Sequence, residues 1–239
     1  MITGTALSYL EALNDHLTKE QRYDRLREYG ELIAQLTSSR GEPVTYEGEY
    51  YKTKNLKLDP PMSDDVQPVF YIAGQSEGAM KTANAINAVH MQMLPAQLED
   101  QLTAGATGIH FGIVTRSSEE DAWQAAKRLF PADASGQRMQ TFSMKNTDSE
   151  WKQRMMMAAK MAESARPGYW VEPFRNFQAD CPYFIGSHAQ VGELIARLVR
   201  KGIRNIILDI PAAEEEFAAV DGACQEAGQI LNSASSGAA

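Results

Sequence analysis

Short apolar runs alternate with amphipathic helical patterns along most of this chain, and that alternation limits its fold more than any other feature. Val69–Ala73, Val89–Met93, Ile109–Val114 and Asn205–Ile210 read as strands. Helical periodicity covers Thr18–Thr37, Ser76–Asn87, Glu119–Phe130, His188–Lys201 and Ala212–Leu231. Strands that alternate with helices predict a parallel α/β sheet or barrel, because each crossover helix must pack back on the sheet. On the first long helix Tyr23, Leu26, Tyr29, Ile33 and Leu36 form the expected inner face, and Thr18 with Gln21 forms a capping box. Val44–Tyr51 reads as a hairpin turning near Glu47-Gly48. One region, 131–185, breaks the alternation and is too long for an ordinary connection, so it is expected to be an insertion or lid with a helix over Asp148–Met161.

The junction after the first apolar run carries chemistry. Val69–Ala73 leads into Gly74, Gln75 and Ser76 and then into a helix. A glycine permits a sharp turn, and the free N–H groups of a helix N-terminus with a nearby hydroxyl can hold a phosphate. The same residues also suit a plain turn with a serine N-cap.

The 239 residues, 44% of them hydrophobic, are enough for one large or two small domains. The formal net charge of −8 argues against a nonspecific grip on nucleic acid or on an anionic membrane. No run is long enough to span a bilayer, and no signal-peptide order opens the chain, so a cytoplasmic location is expected. Cys181 and Cys224 are far apart and read as free thiols. Residues 232–239 are small and polar and are expected to form a disordered tail after a 1–231 domain.

Several segments, in order, resemble the bacterial luciferase-like flavin monooxygenases, most closely their alkanesulfonate branch. They are Ile2-Thr3-Gly4, Glu20-Gln21-Arg22-Tyr23, Tyr46–Tyr51, Ile72-Ala73-Gly74-Gln75-Ser76, Glu120–Trp123, Asp148-Ser149, Gln153-Arg154-Met155 and Ile185-Gly186-Ser187. The resemblance implies a TIM-type barrel that takes reduced FMN from a separate flavin reductase and oxidises a small molecule. It implies that Tyr23, Gly74, Gln75 and Ser76 contact the flavin phosphate and that Thr3 lies near the flavin ring. Packing on the helix face is the competing reading of Tyr23.

Relative to that family the chain starts inside the fourth strand. The implied fold is an incomplete (β/α) barrel lacking its first three strands and most of the fourth, and four strands cannot close a barrel of about eight. Completion by a complementary N-terminal half chain or by a homodimer is therefore expected, since open apolar faces and edges are avoided.

The family's catalytic groups are altered. An arginine and a histidine of its seventh strand are either deleted here or replaced by His110 and Gly112, depending on register. Its tyrosine after the last strand gives way to Ile210-Pro211, and its arginine-bearing lid to Phe174–Pro182. His110 and Arg175 are the remaining catalytic candidates. His110 reads equally as a structural strand histidine, and Arg175 as a solvated loop residue that could approach an anion. Two functions follow: a monooxygenase subunit or C-terminal half, or an inactive flavin-binding or partner protein; a truncated gene product is the third possibility. No phosphate-loop, paired-histidine metal or nucleophile-elbow motif occurs, and no metal is expected.

Overall fold

The computed structural model describes residues 1–239 apart from 2, 4, 5, 67, 99–101, 103, 104, 161–166, 212 and 237–239. The chain divides into two units, Met1–Met91 and Gln92–Ala239.

In the first unit α1 (Leu7–Ala12) and α2 (Lys19–Ser38) precede a hairpin of β1 (Val44–Glu47) and β2 (Lys52–Leu56). Then come β3 (Tyr71–Ala73), α3 (Glu77–Ala85) and β4 (Val89–Met93). The start of α2 is held by the capping box expected from sequence: the Thr18 hydroxyl accepts from the Gln21 N–H at 3.2 Å, and the Gln21 side chain accepts from the Thr18 N–H at 2.9 Å. Its buried stripe differs from the predicted one. Tyr23, Leu32 and Leu36 are buried, whereas Tyr29 is 43% exposed and its ring lies 5.8 Å from that of Tyr51. The reason is Gly30. A Cβ there would stand 2.6 Å from Ile86 Cδ1, so the helix makes its closest approach at position 30 and Tyr29 moves to the rim.

The hairpin forms, with its turn over residues 48–51. It is tied to α2 by the buried Glu28 carboxylate, which accepts backbone N–H bonds from Glu49 (2.8 Å), Tyr50 (2.8 Å) and Tyr51 (3.2 Å). β3 and β4 pair in parallel, Tyr71 opposite Val89. Tyr23, Ile72, Ala79, Ala83 and Ile86 form the core of this unit.

The second unit is built on β5 (Gly108–Arg116). Its second half, Gly112–Arg116, pairs in parallel with β7 (Tyr183–Ser187), and its first half, Gly108–Phe111, with β8 (Asn205–Leu208). β6 (Tyr169–Trp170) lies antiparallel to β7. The helices are α4 (Glu119–Leu129), α5 (Ala134–Lys145), α6 (Glu150–Lys160), α7 (Glu172–Arg175), α8 (His188–Arg200) and α9 (Glu214–Ser236). Ile109, Phe111 and Ile113 pack on Val191, Leu194, Leu198 and Ile203. Val114 and Ile185 pack with Ala122, Ala125 and Ala126 of α4. Period-two alternation along β5 explains why one strand serves both cores.

The architecture is therefore α/β with parallel pairing, as expected, but with more strands than the four predicted. The region 131–185 carries α5, α6, β6 and α7, and its last residues are already in β7. The run Tyr183–Ser187 is short and sits between Pro182 and the helix-capping Ser187, so its apolar residues gave no periodic signal of their own. Of the methionines in α6, Met155 is buried while Met157 is 66% exposed. The last helix continues to Ser236, past the expected start of the tail at Asn232, and residues 237–239 lie outside the described set.

Candidate functional site

Four of the five residues implicated in flavin binding gather at one place in the first unit. Gly74 ends β3 with φ +144°, a conformation that favours glycine. A Cβ at Gly74 would stand 2.8 Å from the Tyr23 hydroxyl oxygen and 2.9 Å from Ala79 Cβ. The Tyr23 ring also covers Gly78, where a Cβ would be 2.7 Å from Cδ2. Tyr23 thus lies over the β3–α3 turn with its hydroxyl at Gly74, and its ring is also part of the core of this unit.

Ser76 is the N-cap of α3: its hydroxyl oxygen accepts from the Ala79 N–H at 3.3 Å, which leaves the hydroxyl proton to donate elsewhere. Gly74, Gln75 and Ser76 are all partly exposed. The Gly74 carbonyl is fixed from behind by His90 Nε2 at 2.7 Å, and the Gly74 N–H donates to the Met91 carbonyl at 3.3 Å. Thr3 follows Met1, whose amino group donates to the Tyr71 carbonyl and whose carbonyl accepts from the Ala73 N–H at 3.2 Å. The flanking Ile2 and Gly4 lie outside the described residues.

A second polar group sits in the second unit and was not visible in the sequence. His110 of β5, Cys181 before β7 and Asp209 after β8 bring a ring nitrogen, the thiol sulfur and a carboxylate oxygen within 4.8 Å of one another. The Tyr183 hydroxyl donates to Asp209 Oδ2 at 2.6 Å, and the Ile210 N–H donates to Asp209 Oδ1 at 3.1 Å. The Tyr183 ring lies where a Cβ of residue 112 would be, at 2.3 Å, so Gly112 is required for it.

Burial pushes the Cys181 thiol well above its ordinary range, and the charges of Asp209 and Asp180 add to this. Tyr183 is raised by burial and then by its bond to Asp209. Burial lowers His110, against the opposing pull of Asp209 and Asp180. Neither Cys181, Tyr183 nor Asp209 belonged to a motif, because their proximity depends on the register of three strands.

Arg175 lies apart from this group in the described contacts. On α7 its guanidinium pairs with Glu172 of the same short helix at 2.5 Å. A cavity of about 370 Å³ lies between Phe184, Ile185, Pro167 and Ala189, with Glu119, Gln190 and Glu193 among its lining, and no predicted site residue reaches it.

The model of the luciferase-like monooxygenases matches residues 4–205. The chain belongs to that family. A curated luciferase-like relative, the 4-(gamma-L-glutamylamino)butanoyl-[BtrI acyl-carrier protein] monooxygenase BtrO of Niallia circulans, is 25% identical over 228 residues, covering 91% of this chain and 66% of its own length. Among solved structures, the EDTA monooxygenase EmoA of Chelativorans sp. BNC1 superposes with a TM-score of 0.61 at 15% identity over 91% of this chain and 61% of its own. The oxygenating constituent of 3,6-diketocamphane monooxygenase from Pseudomonas putida, solved in complex with FMN, gives a TM-score of 0.52 at 14% identity over 91% and 65%. At these identities the structures show a shared fold. The chain spans slightly less than two-thirds of the length of these three proteins. Among its described residues no helix is long and apolar enough to cross a membrane.

Proposed function

We propose that the chain is the flavin-binding part of an FMN-dependent monooxygenase, holding the phosphate of reduced FMN at the Gly74–Ser76 turn and acting on a small organic molecule. The observation that carries this reading is the Tyr23 hydroxyl set over Gly74 at the N-terminus of α3. A phosphate at that turn would meet the Tyr23 hydroxyl, the Ser76 hydroxyl proton and the unpaired N–H groups of the first helical turn, with the helix dipole favouring its charge. Gln75 and Thr3 are assigned supporting contacts. Reduced flavin supplies the activation of oxygen, while the protein binds, orients and keeps water away. Of the two catalytic candidates we retain His110, which is partly exposed on β5, because Arg175 is already engaged by Glu172.

Its partner in this reading is a flavin reductase. The alkanesulfonate branch is a poor guide to substrate, since its arginine, histidine and tyrosine set is not reproduced.

Fluorescence titration of the full chain with FMN and with riboflavin tests the proposal. FMN is expected to bind at least tenfold more tightly than riboflavin, and Tyr23→Phe to erase most of that difference. Equal binding of the two flavins would remove the phosphate site. Product formed from a candidate substrate in a reductase-coupled assay would separate an oxygenase from an inactive flavin carrier.

A further inference from the structure

We infer that His110, Cys181 and Asp209, all in the second unit, form a binding site for a thiophilic divalent cation of the zinc class. The three side chains offer one imidazole nitrogen, one carboxylate and one thiol sulfur that would lose its proton on binding a metal, a donor set that suits zinc and disfavours magnesium or calcium. Ligands around tetrahedral zinc are roughly 3.3–3.8 Å apart, given bonds of about 2.0–2.3 Å. The present separations, none above 4.8 Å, would close by roughly 1 Å around a bound ion.

The backbone supports this geometry. The Asp209 N–H donates to the Phe111 carbonyl at 3.1 Å and the Gly112 N–H to the Pro182 carbonyl at 2.9 Å, so the three ligand positions are fixed to one another through β5. Tyr183 binds Asp209 Oδ2 and orients the carboxylate, the outer-shell arrangement that metal ligands normally have.

Charge points the same way. Among the described residues Asp209 accepts from the Tyr183 hydroxyl and the Ile210 N–H, and no Lys or Arg pairs with it. A divalent cation would neutralise the thiolate and carboxylate together. Cys181 is fully buried while His110 and Asp209 are partly exposed, which leaves an entry path and a fourth position for water or an external ligand.

Anaerobic titration of the full chain with cobalt(II) decides the matter. The expected result is about one equivalent bound, a thiolate-to-cobalt charge-transfer band in the near ultraviolet, tetrahedral d–d bands in the visible, and displacement by zinc but not by magnesium. Cys181→Ser should abolish the charge-transfer band, and His110→Gln and Asp209→Asn should each weaken binding at least tenfold. Tyr183→Phe should weaken it by about 10–100-fold, as removal of outer-shell partners does. Absence of the charge-transfer band in the unsubstituted protein overturns the inference even if a variant fails to fold. So does binding that survives all three ligand substitutions, which would leave Asp209 as a carboxylate that simply accepts from its neighbours.

Discussion

Arg116 at the end of β5 and Glu216 in the first turn of α9 form a two-pronged ion pair across a hundred residues of sequence. Arg116 Nη1 donates to Glu216 Oε2 at 3.1 Å and Nη2 donates to Oε1. The arginine side chain is 24% exposed and the glutamate 5%. A carboxylate so buried must keep its partner, because breaking such a pair leaves an uncompensated charge. Arg116→Ala should destabilise the chain by about 2–3 kcal/mol, less than a fully buried pair would cost because the arginine retains some solvent. Urea unfolding checks this, and Glu216→Gln in the Arg116→Ala background should recover part of the loss.

Glu28 should make stability depend on acid pH. Burial alone would raise its carboxyl, but the three backbone N–H bonds from residues 49–51 outweigh burial and hold it below the ordinary carboxylate range. The unfolded chain therefore binds this proton more readily than the folded one. The resulting stability is fully present above the unfolded value and is lost as pH falls through the lower folded value. Glu28→Gln should flatten the acid limb of stability against pH. Glu28→Ala, which strands three hairpin N–H groups, should cost about 2–3 kcal/mol at neutral pH.

The turn at Gly74 lets ligand and stability effects be read separately. Gly74→Ala meets both an unfavourable φ and the Tyr23 hydroxyl, and a destabilisation of about 1–3 kcal/mol is expected in thermal melts. Ser76→Ala removes the α3 cap and should cost about 1 kcal/mol. Tyr23→Phe keeps the packing and should leave the melting temperature within a degree or two, so a loss of FMN affinity in it reports the hydroxyl alone.

The two thiols should behave differently. Cys224 is exposed and Cys181 fully buried with its thiol pushed up. A thiol reagent at neutral pH should label one cysteine quickly in the native chain and the second only after denaturation. Rapid native labelling of both would contradict the burial of Cys181.

Local features were legible in the residues themselves. The capping box at Thr18, the turn at Gly74 and the hairpin before Tyr51 each rest on neighbours a few positions apart, where spacing alone sets geometry. Tyr29 shows the limit of that reasoning: its helical phase matched the inner face, yet the close contact of Gly30 with Ile86 turned it outward. β7 is hidden in the sequence for a different reason, since a short buried strand carries no periodicity of its own.

By itself the amino-acid order determined that strands alternate with helices and that the chain turns at Gly74 into a helix capped by Ser76. Only the tertiary structure decided that Tyr23 stands over that turn and that His110, Cys181, Tyr183 and Asp209 meet. Those encounters depend on helix packing and on the parallel register of β5 with β7 and β8. Register is a property of paired strands distant in sequence, so no single segment could disclose it.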